Sequence, residues 1–158
     1  AALTGATTGG GAGIAACCDM RIATRSLKYG FPIARTLGNC LSAATLARLV
    51  ALMSEATVID MIYTSRLIEA DEALRIGLVS EIVDDHEALV ARADALARQI
   101  AGHAPLTMRV TKELLRRLRT RQVLVDDDDL VGMVYTSADF KEGMDAFLNK
   151  RKPNWQGR

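Results

Sequence analysis

The residues best suited to chemistry stand at the start of the chain, in the stretch Thr4-Gly5-Ala6-Thr7-Thr8-Gly9-Gly10-Gly11-Ala12-Gly13-Ile14-Ala15-Ala16-Cys17-Cys18-Asp19. Its glycines read as a tight turn between a strand and a helix, because a residue without Cβ accepts positive φ and lets a ligand approach the backbone. The helix that follows aims free N–H groups and the positive end of its dipole into that turn. The chemistry on offer is the holding of a negatively charged oxygen. That oxygen belongs either to a phosphate or to a carbonyl that gains charge as it reacts.

Phosphate has two known patterns to satisfy. Gly11-Ala12-Gly13-Ile14-Ala15-Ala16 matches the dinucleotide fingerprint G-x-G-x-x-G/A, which also requires a long crossover helix and an acidic residue about 20 positions further on. Here the helical run ends near Asp19, and no acid occurs between Asp19 and Glu55. A P-loop fits less well, since Gly5-x-x-x-x-Gly10 is followed by Gly11-Ala12 where Lys-Ser/Thr is needed.

The carbonyl alternative gains from segments elsewhere. Thr4-Gly5-Ala6 leading into Gly9-Gly10-Gly11, then Cys18-Asp19-Met20-Arg21-Ile22-Ala23 and Tyr29-Gly30-Phe31-Pro32, stand in that order. They are followed by Ile68-Glu69-Ala70-Asp71-Glu72-Ala73, Gly77-Leu78-Val79-Ser80-Glu81-Ile82-Val83, Glu142-Gly143-Met144-Asp145-Ala146-Phe147 and Lys150-Arg151-Lys152-Pro153. Taken together and in this order, they resemble the enoyl-CoA hydratase/isomerase, or crotonase, superfamily from end to end of the chain. The resemblance implies an α/β fold, a crotonase-like β-β-α spiral followed by a C-terminal helical region that packs in a homotrimer or a dimer of trimers. Members are considerably longer, and this chain begins inside a strand at Ala1-Ala2-Leu3. It is therefore expected to be the C-terminal portion of a longer protein, with residues 1–84 forming part of the spiral core and 85–158 the helical region.

In that family an acyl-CoA thioester places its carbonyl oxygen between two backbone N–H groups. The resemblance assigns one of them to Gly10 and leaves the other upstream of Ala1. Removing one such donor typically costs about 2.7–4 kcal/mol. Gly9, Gly13, Pro32 and Ile33 are implied as substrate pocket, and Phe147 and Lys150 as the aromatic face and the cation at the CoA entrance. No separate cofactor is implied, since coenzyme A arrives as part of the substrate. Proton transfer departs from the family pattern. Hydratases carry one glutamate shortly after the triple glycine and one just after the later proline, and those places hold Gly13 and Ile33, neither of which can move a proton. The polar groups nearby are Arg35, Thr36, Asn39, Cys40 and Ser42. Arg35 reads as a partner for a carboxylate or a CoA phosphate, or as a solvated surface arginine. Asp19 reads as a structural hydrogen-bonding acid between helix and strand.

Several elements must position these residues. Met20–Thr24 and Leu27–Tyr29 read as short strands joined by a turn at Arg25-Ser26, with Gly30 and Pro32 ending the second. Ser42–Val50 and Ser54–Thr64 read as helices, the first with a serine cap. Ala70–Ile76 is a short helix stopped by Gly77, and Leu78–Val83 a strand. Leu89, Ala93, Leu96 and Ile100 fall at i, i+4, i+7 and i+11, so Asp85–Ala101 is expected to be an amphipathic helix with one buried face. Gly102 and Pro105 separate it from a helix over Leu106–Arg121. Arg116, Arg117, Arg119 and Arg121 crowd the end of that helix, and Asp126 to Asp129 open the next. Such charges suit the backbone dipole at each terminus, and the aspartates oppose a nucleic-acid reading. The last helix, about 138–150, carries Phe140, Met144, Phe147 and Leu148 on one face.

Composition narrows the setting. The chain has 158 residues, 49% of them hydrophobic and 25% charged, enough for one cored domain. A formal net charge of +1 supplies no argument for a nucleic-acid or membrane partner. The three cysteines, Cys17, Cys18 and Cys40, make a poor disulfide framework and read as small buried hydrophobes in a reducing cytoplasm. Three readings follow: an acyl-CoA enzyme open to isomerisation, hydration, hydrolysis or decarboxylation; a non-catalytic homologue that binds CoA or a protein partner; and a dinucleotide-binding oxidoreductase, disfavoured by the missing acid.

Overall fold

The computed structural model describes residues 1–122 and 126–158, with only the backbone described for residues 120–122. Strands β1 (Ala2–Leu3) and β2 (Ala6–Thr8) lead through Gly9 into helix α1 (Gly10–Cys17). Strands β3 (Ile22–Thr24) and β4 (Lys28–Gly30) then lead into the short helix α2 (Ile33–Thr36). Each β-β-α turn lays one strand in each of two sheets. β1 and β3 run parallel, with Ala2 opposite Ile22, and β2 and β4 run parallel, with Thr7 opposite Tyr29. Later strands complete both sheets. β5 (Ile68–Glu69) joins β4 antiparallel, and β6 (Glu81–Val83) joins β3 parallel.

The turn at Arg25-Ser26 therefore does not close a hairpin; it carries the chain from one sheet to the other. The strand expected over Leu78–Val83 is shorter, because Leu78 and Val79 are buried in the connection before β6. Strands of two or three residues cannot hold themselves together in water. What holds them is one buried cluster that includes Leu27, Tyr29, Leu49, Met61, Ile68 and Leu78.

Helices α3 (Ala43–Leu52), α4 (Glu55–Tyr63) and α5 (Ala70–Arg75) supply much of that cluster. Local chemistry sets where they start. Ser42 Oγ accepts from Thr45 N–H at 3.3 Å, and Ser54 Oγ accepts from Thr57 N–H at 3.2 Å. Asp85 begins α6 (His86–Ala101) in the same way, accepting from Ala88 N–H at 2.9 Å. Along α6 the expected apolar face is fully buried only at Leu89; Ala93, Leu96 and Ile100 are partly exposed.

Helices α7 (Pro105–Gln122), α8 (Asp128–Thr136) and α9 (Ala138–Leu148) follow. Pro105 opens α7, where its missing N–H is not needed. Arg116 and Arg117 pair with Glu113 on their own helix, while the side chain of Arg121 lies outside the described residues. Asp127 accepts from the backbone N–H of Ala43, the first residue of α3, and Asp126 accepts from Asp128 N–H.

On helix α9 the buried positions are the small ones, and Phe140 is half-buried. Gly143 and Ala146 are buried, whereas Met144, Phe147 and Leu148 are exposed, with Phe147 at 62%. The reason is close approach: a Cβ at Gly143 would lie 2.3 Å from Leu37 O. The cysteines also depart from expectation, since Cys17 is exposed and Cys18 and Cys40 are only partly covered. Beyond α9 the chain folds back, and Trp155 rests against Gly38. No helix among the described residues is long and apolar enough to cross a membrane.

Candidate active site

Helix α1 is placed by small residues and two arginines. Ala12, Ala15 and Ala16 form its buried face, so the helix lies close to its neighbours, and Tyr29 Oη–H donates to Ala12 O at 3.0 Å. Burial pushes the Tyr29 hydroxyl up to about 12, which keeps it a donor. At the other end, Arg21 donates through Nε to Leu78 O at 2.6 Å and through Nη1 to Ala15 O at 3.3 Å and Cys18 O at 2.6 Å. Arg48, from α3, donates to Ala16 O at 2.6 Å and Cys18 O at 3.2 Å. Two guanidinium groups thus meet the negative end of one helix. Burial and the neighbouring Arg48 charge hold the Arg21 value below its ordinary one. Asp19 turns outward instead, pairing with Lys112 of α7 at 2.6 Å, and that hydrogen bond holds its carboxyl below the usual range.

At its N-terminus α1 starts from Gly9, whose φ of 55° and ψ of −122° favour glycine. Gly9 N–H donates to Gly30 O at 3.1 Å, and Gly9 O accepts from Gly13 N–H at 3.0 Å. Between them, the N–H of Gly10 has no acceptor among the described residues. The fingerprint Gly11–Ala16 falls wholly inside α1, not in the turn before it, so its glycines do not form the phosphate-binding turn of a dinucleotide site.

Gly9, Gly10, Gly13 and Ile33 come together along a groove of about 460 Å³, with Phe31 and Leu37 as further apolar walls. Pro32 is not among its walls. It precedes α2 with φ −75° and so sets Ile33 at the start of that helix. Gly10 and Gly13 also border a second groove of about 610 Å³ beside Ile14, Cys17 and Arg48. Phe147 and Lys150 line neither groove; they sit exposed at the end of α9, where Lys150 takes a left-handed φ of 51°. Arg35 is also exposed, with its backbone N–H given to Ser65 Oγ at 3.1 Å.

Among the nearby polar groups named from sequence, Asn39, Cys40 and Ser42 do line the first groove. Val131 and Tyr135, from α8, were not foreseen. Their i, i+4 spacing marks one helix face, but nothing local ties that face to Asn39, 96 residues away and within 3.4 Å of the Tyr135 hydroxyl. An unpaired amide at a helix N-terminus, beside a largely apolar groove, can hold an oxygen that becomes negative. Gly13 and Ile33 add no group that exchanges a proton.

Fold and groove together define a crotonase-like α/β protein. The chain belongs to the enoyl-CoA hydratase/isomerase family, whose family model matches residues 1–158. It is 35% identical over 158 residues to a crotonyl-CoA hydratase of Syntrophomonas wolfei, covering 98% of this chain and 60% of that one. To a short-chain-enoyl-CoA hydratase of Clostridium acetobutylicum it is 34% identical over 155 residues, covering 96% and 59%. Among solved structures, methylmalonyl-CoA decarboxylase complexed with 2S-carboxypropyl-CoA superimposes with a TM-score of 0.90 at 30% identity, covering 99% of this chain and 61% of that one. Carnitinyl-CoA hydratase from Mycobacterium avium gives 0.80 at 29% identity, covering 98% and 60%. The chain thus spans about 60% of the length of these two curated relatives.

Proposed function

We propose that this chain processes acyl-CoA thioesters and that Gly10 N–H is one of two donors to the thioester oxygen. The observation that carries this reading is the amide of Gly10, which has no acceptor and borders a largely apolar groove. Enolate-like charge developing on that oxygen meets a fixed donor at the positive end of α1, a stabilisation that needs no reorganisation at the moment of reaction. Gly9, Gly13 and Ile33 wall the acyl group, and Pro32 orients Ile33. Isomerisation, hydrolysis and decarboxylation all use such a hole. Hydration by two glutamates lacks its residues at Gly13 and Ile33.

The CoA moiety is assigned to Phe147 and Lys150, an exposed aromatic face and an ammonium suited to adenine and phosphate. Coenzyme A enters with the substrate and no further cofactor is invoked. Residues 85–158 form the proposed trimerisation region. Leu106, Val110, Leu114 and Leu118 recur every fourth residue on α7 and are all exposed, as an interface in a homotrimer or dimer of trimers requires. A cytoplasmic setting fits three cysteines, none of them in a disulfide.

The test is to mix the full-length protein with crotonyl-CoA and follow loss of the conjugated thioester absorbance, then repeat with several other acyl-CoAs. Turnover of any of them supports the enzyme. Measurable CoA binding without turnover supports a second reading, a non-catalytic homologue, which the absence of both glutamates favours. The chain of residues 1–158 alone is expected to turn over little, because its second donor is assigned upstream; robust turnover by it would refute that assignment.

A further inference from the structure

A separate cavity of about 540 Å³ lies between the C-terminal end of α1 and α7. It shares no lining residue with the groove of about 460 Å³ beside Gly10. Arg109, Lys112, Arg116 and Arg119 recur at i, i+3, i+7 and i+10, so α7 lays a row of cations along one wall. Arg117 adds a fifth, and the carboxylates on the lining are Asp19 and Glu113. Five cations over two carboxylates leave three positive charges in excess. Asp19 pairs with Lys112, and Glu113 with Arg116 and Arg117. Arg109 and Arg119, at the two ends of the row, make no hydrogen bond or ion pair with a described residue, and Arg119 is partly buried. Leu106, Val110, Leu114 and Leu118 fall on a different face by spacing, so the row is separate from the apolar stripe assigned to the subunit interface.

Like charges three or four residues apart on a helix repel each other, and an anion in the cavity relieves that repulsion. The ten residues from Arg109 to Arg119 span about 15 Å at 1.5 Å per residue, so one phosphate reaches only one end of the row. A ligand with an anionic group at each end meets both guanidinium forks, which suit the paired oxygens of phosphate or carboxylate. Two phosphate groups carry about −3 to −4 at neutral pH, against about −2 for two carboxylates, and the excess of three favours the phosphates. The volume falls in the range of small-molecule sites. We infer that this cavity binds a small molecule carrying two phosphate groups, one at Arg109 and one at Arg119. This does not rest on the acyl-CoA reading of the groove.

The experiment is calorimetric titration of the full-length protein at low salt with fructose 1,6-bisphosphate, fructose 6-phosphate and the dicarboxylate azelate. The bisphosphate is expected to bind about tenfold more tightly than either, since its second phosphate adds charge-assisted hydrogen bonds. Arg109→Gln/Arg119→Gln is expected to lose that preference. Arg25→Gln/Arg98→Gln removes two exposed arginines paired with Asp84 and Asp94, an equal change in net charge outside the cavity lining, and is expected to keep it. The exposed Cys17 thiol on the cavity wall reports occupancy. With the bisphosphate at ten times its Kd, alkylation of Cys17 by N-ethylmaleimide is expected to slow about tenfold while that of Cys40 is unchanged. Equal binding of the bisphosphate and the monophosphate, or of the bisphosphate and azelate, overturns the inference. So does a preference that survives Arg109→Gln/Arg119→Gln or vanishes in Arg25→Gln/Arg98→Gln, or an unprotected Cys17. Protection of Cys17 by CoA as strong as by the bisphosphate also overturns it, since the cavity would then belong to the substrate.

Discussion

A proline at position 10 would remove the amide hydrogen while supplying the φ that the first residue of a helix needs, and Gly10 is the first residue of α1. Gly10→Pro is therefore expected to lower kcat by about 10²–10³-fold, the usual effect of losing one oxyanion donor, with little change in the far-ultraviolet circular dichroism. Gly10→Ala keeps the N–H, and its Cβ would meet nothing within 4 Å, so it is expected to retain activity. Equal losses in both variants would mean that the space, not the donor, matters. The start of α1 at Gly10 was legible in the sequence because a glycine run before a helix is a local signal, whereas the donor role came only from the family resemblance. The place of Tyr135 was not, because only the finished fold brings it to Asn39 and the groove.

At the level of elements, α1 is anchored from behind by the guanidinium groups of Arg21 and Arg48. Arg48→Ala removes hydrogen bonds to Ala16 O and Cys18 O and is expected to destabilise the protein by about 1.5–3 kcal/mol, as for other hydrogen bonds to charged groups. Chemical denaturation would read this as a lower midpoint with an unchanged slope. Gly143→Ala attacks another joint. Its methyl would need the space of Leu37 O, so α9 and the loop after α2 must separate, at an expected cost of about 1–3 kcal/mol by thermal unfolding. Helix starts at Ser42, Ser54 and Asp85 could be read directly, since each cap acts within three residues. The packing side of α9 could not. Its large apolar residues advertise one face, yet the buried one is defined by Gly143 and Ala146, small enough to admit another backbone.

For the molecule as a whole, the C-terminal tail is fastened to α9 by carboxylates. Glu142 accepts from Arg151 at 2.6 Å and from Asn154 N–H at 2.8 Å, and Asp139 accepts from the backbone N–H groups of Gln156 and Gly157. The Arg151 guanidinium, then the Asn154 amide, hold the Glu142 carboxyl at about 2 against an ordinary 4.5. A carboxyl depressed on folding contributes fully above its unfolded value and loses that contribution as pH falls through the folded one. The fastening is thus expected to be complete above about pH 4.5 and to fail toward about 2. The Asn154 amide resonance should follow that titration, and Glu142→Gln should erase it. Sheet membership is also a whole-molecule property and was the least legible feature. β3 finds its partners at Ala2 and at Glu81, and no pattern within Ile22–Thr24 names either one.

Trp155, the only tryptophan in the chain, leans on Gly38, the neighbour of Asn39. The protein thus carries its own indole reporter next to the groove, so occupancy can be followed by intrinsic emission without a label.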